Sequence, residues 1–396
     1  MSKRQTEVAV IGAGVIGSAV AYYAAKAGFQ VVLIDAGDSA QFTSSRCDGN
    51  VLVSDKMPGY DASLTARSQE LLDELSDELD YDFQWERRGS MLVMENEQEM
   101  EMGQKLCEDF KASGITGVHM MDPNELARRE PCLARDLAGG MWFDRDGCLY
   151  PMGLCYGLAE GLKKYRGELL LHQPVTAVKK SGKGFVLSTP DYEIWTERVV
   201  NCAGIQSARI GAMSGIEIPV KPRQGQILVS EPTVQLAKQK VMEFGYMMAK
   251  FQSSDYVRPV TPLMEKYGVA LVYEPTGGNN FLLGSSRYFT DMDDVKVDIE
   301  VMKAIALRGI RFFPAMADVK VIRSYAGIRA YTPDHMPIIS DTVVDGYYVA
   351  TGHEGDGVGL SAITGVLMTQ LLLGKDTEFD MAPLKLNRFY ECSETV

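Results

Sequence analysis

The chain has 396 residues, 46% of them hydrophobic, and a formal net charge of -13. That length exceeds what one compact core usually organises, so two domains are expected, with enough apolar content to fill both. The acidic balance argues against a nucleic-acid polyanion or an anionic membrane surface as partner, since neither is attracted by the average field, but it leaves room for a small substrate in a local basic pocket. The seven cysteines, Cys47, Cys107, Cys132, Cys148, Cys155, Cys202 and Cys392, are odd in number and form no CxxC pair. Neither a disulfide framework nor a zinc site is signalled, and a reducing cytoplasm is the simplest setting. The four histidines are scattered without metal-ligand spacing, so no metal is expected.

In chain order, the first feature is the apolar run that begins at Val8. Glu7 and Lys26 bracket it, and it is too short and too glycine-rich for a membrane span or a secretory signal. Its internal order is strand (Val8 to Ile11), glycine turn, helix (Ser18 to Ala27) and second strand (Val31 to Ile34). Gly12, Gly14 and Gly17 fall at GxGxxG, and Asp35 follows the second strand. That is a βαβ unit for a dinucleotide: Gly12 permits the tight turn, Gly14 the approach of a pyrophosphate, and Gly17 close helix–strand packing. The helix start offers N–H groups to the phosphates, and Asp35 is placed to accept from ribose hydroxyls.

Past Asp35, the segment QFTSSRCDGNV is polar and small, a loop able to lie against a cofactor through Thr43, Ser44, Ser45 and Asn50. Leu72, Leu75 and Leu79 then recur at helical spacing with acids between, which predicts an amphipathic helix. MLVMEN reads as a strand, Gln98 to Ser113 as a helix, and Asp122 to Glu130 as another, capped by Asp122 before Pro123. A turn follows around Asp146 and Gly147. From Gln173 three short strands form a meander whose last member runs into Ala203 and Gly204. Residues 226–324 mix strands with the helix VDIEVMKAIALRGIRFF, predicting an antiparallel sheet with helices against it. Near the end, DGYYVATGHEGDGVGLSAITGVLM returns to strand, glycine turn and apolar helix.

Both ends of the chain thus carry cofactor-facing turns, so the cofactor domain is expected to be discontinuous: residues 1–85, 140–225 and 325–396, with a substrate domain of 86–139 and 226–324. The fold class is α/β, α+β overall, pairing a Rossmann-like domain that carries a β-meander with a mostly antiparallel sheet. An NAD dehydrogenase would continue through further βα units; the meander and the late glycine turn favour FAD instead.

The segments TSSRCDGN, DGCLYP, VVNCAG, PVKPRQGQ, AGIRAYTPDHMPII and GHEGDGVGLSAITG occur in the order found in the FAD-dependent D-amino acid oxidase superfamily. The whole chain resembles that superfamily, which includes glycine oxidase and sarcosine oxidase. GHEGDGVGLS and TPDHMPIIS look most like the flavin subunits of hydroxyproline, proline and opine dehydrogenases and the hydrogen cyanide synthase flavoproteins. That resemblance implies an enzyme that moves hydride from the Cα–H of an amine-bearing carboxylate (proline-, hydroxyproline-, opine- or sarcosine-like) to flavin N5, giving an imine, with no integral membrane span. It also implies partner subunits that pass electrons onward, as many members of that group have.

Carried over by residue, the resemblance puts Val15 and Ile16 beside the diphosphate, and Asp35 with Ala36 at the adenosine ribose. Thr43, Ser44, Asp48, Gly49 and Asn50 would line the ribityl chain and ring, and the Val175 backbone would meet adenine. The turn Gly352, His353, Glu354, Gly355, Asp356, Gly357, Val358, Gly359 would lie beneath the isoalloxazine, its N–H groups facing negative charge at N1 and O2. Arg329 aligns with the arginine that grips the substrate carboxylate, a role that suits a planar, permanently charged fork. Tyr273 and Arg287 flank strands of the substrate sheet and are expected at the pocket. Two departures matter. Gly327 or a neighbour stands where sarcosine oxidase has its flavin-linked cysteine, which implies non-covalent FAD unless Cys47 takes that part. Gly355 stands where glycine oxidase offers a second arginine. An NAD-dependent dehydrogenase and a non-catalytic flavin-binding subunit are the alternative readings.

Overall fold

The computed structural model describes residues 2–250, 256–292 and 294–390, so Cys392 lies outside the described residues. The run beginning at Val8 belongs to a longer strand, β1 (Ser2–Ile11), followed by helix α1 (Val15–Lys26) and strand β2 (Val31–Ile34). β1 and β2 pair in parallel, with Val8 opposite Val31. Alternation divides them between two cores: Val8, Val10, Val31 and Leu33 enter one, while Ala9, Ile11, Val32 and Ile34 enter the other. Burial on both faces is why these strands read as continuous apolar runs.

The connection between β1 and α1 is made of backbone at close range. Gly12 has φ +108°, and a Cβ there would lie 2.5 Å from the Cys202 carbonyl oxygen. A Cβ on Gly17 would lie only 1.8 Å from the Gly12 carbonyl oxygen. Glycine is therefore a steric requirement at both positions.

β1 lies inside the first sheet, which runs Ile338–Asp341, Tyr347–Thr351, Tyr192–Asn201, β1, β2, Glu168–Leu170. All neighbours are parallel except the outermost pair, Ile338–Asp341 with Tyr347–Thr351. The expected meander, Ala177–Ser181 and Gly184–Ser188, folds antiparallel onto the start of Tyr192–Asn201. One face is covered by α1, the last helix Gly357–Leu373, the helix Tyr60–Glu78 and a helix with no counterpart among the sequence-based expectations, Pro151–Lys164.

The second sheet runs Tyr288–Phe289, Lys221–Ser230, Phe281–Gly284, Val272–Pro275, Lys240–Glu243, Ser90–Met94, Gly139–Phe143, Val118–Met121, with Val321–Tyr331 also paired to Lys221–Ser230. It is antiparallel except where Lys240–Glu243 lies parallel to Ser90–Met94. The long ladder between Lys221–Ser230 and Val321–Tyr331 continues from Lys221 opposite Tyr331 to Val229 opposite Arg323. The boundaries expected at 225 and 325 fall inside it, so the second sheet extends to 221 and 331.

Gly17→Ala is expected to lower the free energy of unfolding by about 1–3 kcal/mol, because the added methyl group must displace α1 from β1. Denaturant titration measures this, and an unchanged midpoint would mean that the turn has room the geometry does not show.

Candidate functional site

The loop Thr43–Asn50 lies between the start of α1 and the strand Val321–Tyr331 of the second sheet. The Thr43 hydroxyl donates to Ile328 O (2.6 Å) and the Tyr325 hydroxyl to Cys47 O (3.3 Å), so the strand Val321–Tyr331 holds the loop at two points. From the other side, the Val15 N–H at the start of α1 donates to Ser44 Oγ (3.1 Å). Two cavities meet along this loop and share Val15, Thr43, Ser44, Glu354 and Gly357.

The first cavity lies over the β1–α1 turn. Gly12, Gly14, Val15, Ile16, Asp35, Ala36, Val175, Ala203, Gly204, Gly352 and His353 line it, all residues singled out from the sequence. Asp35 is already engaged, its carboxylate accepting the Ala13 N–H (2.6 Å) and the Gly37 N–H (2.8 Å). It therefore braces the turn while presenting remaining lone pairs to the cavity. His353 Nε2 lies 2.9 Å from Thr364 Oγ1, and burial pulls the imidazole down to about 3, so it stays neutral.

The second cavity runs from the loop to the second sheet. Asp48, Asn50, Gly355, Asp356, Val358, Gly359, Arg287 and Arg329 line it, together with residues that no sequence motif singled out: Arg46, Lys56, Lys240 and Tyr246. Asn50 Oδ1 is buried without a hydrogen-bond partner among the described residues. The last helix begins at Asp356 with no side-chain cap. Lys56, nearly inaccessible, pairs with Asp55 and, at 2.9 Å, with Asp356, so the helix start is held by charge.

Arg329 donates from Nη1 to Ser286 O (3.1 Å), and its guanidinium lies where a Cβ on Gly225 would be 2.2 Å away. Arg287 stacks over the Tyr246 ring at 4.1 Å. Burial, and then the neighbouring Arg329 charge, bring Arg287 down to about 10. Glu354 meets Arg223 at 3.4 Å and His335 at 2.8 Å. Burial alone would raise Glu354, but His335, Arg287 and Arg223 outweigh it and hold the carboxyl below its usual range.

Three residues singled out from the sequence lie elsewhere. Gly17 packs against the β1–α1 turn and Gly49 against Leu149, whose carbonyl oxygen a Cβ on Gly49 would meet at 1.8 Å. Tyr273 is fully buried in the second-sheet core between Phe281 and Phe313, and its hydroxyl bonds with Ala237 and Gln235. It is a core tyrosine, because its strand turns that face away from the cavity. Its neighbour Glu274 faces the other way, and the Gly49 N–H donates to both carboxylate oxygens (3.1 and 3.2 Å). Lys240 Nζ stands 3.9 Å from both Glu274 and Asp48 and has no hydrogen-bond partner among the described residues. A tertiary cluster of this kind leaves no mark in sequence spacing.

No group of His, Cys, Asp or Glu among the described residues could hold a metal ion, and no helix among them is long and apolar enough to cross a membrane. The six described cysteines are all free.

Residues 7–371 match the family described as DAO, FAD dependent oxidoreductase. The glycine oxidase of Geobacillus kaustophilus is 26% identical, covering 96% of this chain and 97% of that one. An opine oxidase subunit from Agrobacterium tumefaciens is 22% identical, covering 98% of each chain. Among solved structures, the Geobacillus kaustophilus glycine oxidase superposes with a TM-score of 0.85 at 25% identity, over 97% of this chain and 99% of that one. The L-proline dehydrogenase of P. horikoshii shares the fold, with a TM-score of 0.86 at 21% identity over 99% of each chain.

Burial pushes Glu274 up from its ordinary 4.5 to about 7, with Lys240 opposing. A carboxyl raised in the folded state binds protons more tightly there than in the unfolded chain. Stability is therefore expected to fall as pH rises from about 4.5 to about 7 and to level off above. Glu274→Gln should flatten this part of the profile in urea titrations of the cofactor-free protein; identical slopes in both proteins would remove Glu274 as its source.

Proposed function

The chain belongs to the FAD-dependent oxidoreductase family, and from that premise we propose that it is an amino or imino acid dehydrogenase or oxidase. Its substrate is an amine bearing a carboxylate, of the proline, hydroxyproline, opine or sarcosine kind. The observation that carries this reading is the placement of Arg329, which reaches the cavity between the Thr43–Asn50 loop and the start of the last helix while only one of its N–H groups is bonded among the described residues, to Ser286.

The fit to FAD rests on the glycine cradle. A Cβ on Gly14 would crowd Ser44 Oγ at 3.2 Å, in addition to the clashes at Gly12 and Gly17, so side chains are excluded where a diphosphate needs backbone. Gly12, Gly14, Val15 and Ile16 would hold the diphosphate, Asp35 the ribose, and the loop with Gly355 to Gly359 the ring. Non-covalent attachment is supported by Gly327, whose Cβ position is only 2.5 Å from Arg46 O, and by Cys47, whose thiol burial raises well above its usual range. When bound, FAD supplies the two-electron acceptor for the substrate Cα–H.

The chain's own part is positioning. Two parallel hydrogen bonds from Arg329 to the carboxylate would fix the α-carbon and exclude water from that wall. No side chain of the cavity is assigned as general base, in keeping with an amine that arrives unprotonated. One relative is named as a subunit of opine oxidase, which supports the further reading that this chain works with partner subunits.

Anaerobic mixing of FAD-reconstituted protein with D- and L-proline, hydroxyproline, sarcosine, glycine and opines should bleach the flavin with at least one compound. A protein that stays yellow with every member is a silent flavin-binding subunit. Arg329→Lys is expected to raise the KM at least roughly tenfold, since a lost bidentate geometry costs about 1.5–3 kcal/mol. Unchanged kinetics would take Arg329 out of the site.

A further inference from the structure

Glu354 stands in the turn before the last helix with φ +47°, among Gly352, Gly355, Gly357 and Gly359. A side chain in the left-handed region costs more than glycine would there, so this carboxylate calls for a reason. His335, one of its partners, has φ +63° as well. The other partner, Arg223, stands opposite Arg329 in the ladder between Lys221–Ser230 and Val321–Tyr331. Residues paired in this way share a face of the sheet, and both guanidinium groups reach the same turn. Arg223 Nη1 lies 3.4 Å from Glu354, and a Cβ on Gly355 would be 3.6 Å from Arg329 Nε. The Glu354 N–H donates to the carbonyl oxygen of Ala330 (3.3 Å), the residue that follows Arg329.

A carboxylate tethered this close to Arg329 is a rival to the substrate. Burial would raise Glu354, but His335, Arg287 and Arg223 hold it below its usual range, so it carries its charge. An ion pair between Glu354 and Arg329 would form within the chain, at the high effective concentration that tethering gives, and a free substrate would have to displace it. What prevents the pair is the use of both Glu354 oxygens elsewhere: Oε2 faces Arg223 Nη1 and Oε1 faces His335 Nδ1. Arg223 is itself fixed by the rings of Phe289 (5.7 Å) and Tyr331 (5.3 Å). Glu354 and Asp356 also act on Arg287. That attraction adds to the charge balance of the cavity, whereas Arg223 and His335 decide where the Glu354 oxygens point. We propose that Arg223 is a positioning residue, which holds Glu354 away from Arg329 and so keeps the Arg329 fork open for the substrate carboxylate. This rests on the reading of Arg329 given above and adds the device that keeps that arginine available.

The test uses the FAD-loaded protein. KM and kcat are measured with whichever amine of the panel above reduces the flavin fastest. In parallel, cyclopentanecarboxylate, which has no amine to oxidise, is titrated against the flavin absorbance. Arg223→Met should raise both the KM and the dissociation constant of this carboxylate roughly tenfold, while kcat stays within about twofold. Adding Glu354→Gln to Arg223→Met should restore most of the lost affinity, because the released side chain no longer carries a charge. Arg223→Lys should stay close to the unaltered protein, since a point charge is enough to hold Glu354. Tyr331→Leu, which removes one of the rings that fix Arg223, should act in the same direction as Arg223→Met and more weakly, and it serves if Arg223→Met does not take up FAD. A double variant that binds no better than Arg223→Met, or an unchanged KM in Arg223→Met, overturns the proposal and leaves amine oxidation and the role of Arg329 standing. If no amine reduces the flavin, the parent reading falls and takes this one with it.

Discussion

The last helix crosses α1 at a point where Gly365 has no room for a side chain. A Cβ on Gly365 would lie 2.8 Å from the Ala19 carbonyl oxygen and 2.5 Å from the Tyr23 ring. This close crossing places the start of Gly357–Leu373 beside the start of α1, so that Gly357 and Val15 line the same space. Two helix starts, separated by most of the chain, then turn their positive ends to the place where the two cavities meet. A ligand with a diphosphate at one end and an electron-accepting ring at the other matches that arrangement.

The second sheet completes the site by its hold on the loop. Thr43 is tied to Ile328, Cys47 to Tyr325, and Gly49 to Glu274, so three of the loop's anchors belong to strands that also carry Arg329 and flank Lys240. The position of the loop relative to Arg329 is therefore set within one sheet. Asp356 would by itself oppose an anion at the last helix start, and Lys56 offsets it. The cavity thus gathers Lys56, Lys240, Arg287 and Arg329 among the carboxylates of Asp48, Asp55, Glu354 and Asp356.

Much of this was legible in the amino-acid order. The βαβ unit declares itself through apolar strands, three glycines at fixed offsets and a terminal acid. The meander shows alternating patterning, and the turn at His353 to Gly359 stands out by its glycines. Less legible were elements whose residues are explained only by distant partners. Lys240–Glu243 has a charge at each end and no alternation, yet all four residues are buried, because Glu243 accepts from Arg258, Arg308 and the Leu271 N–H. Tyr273 and Glu274 are adjacent on one strand, and a one-residue difference in facing decides which enters the core and which meets Gly49. Periodicity could not choose between them, since the turn Thr276–Asn279 obscures the register of that hairpin.

The order of strands in the first sheet has a consequence for the nascent chain. β1 is synthesised long before two strands of its sheet: one edge stays open until Tyr192–Asn201 arrives, and Tyr347–Thr351 joins about 150 residues later still. At roughly 5–20 residues per second, the wait for the first of these is on the order of ten to forty seconds. Through that interval an apolar strand edge and the glycine turn beside it are exposed, a template for pairing with other chains that the order of the sheet builds in.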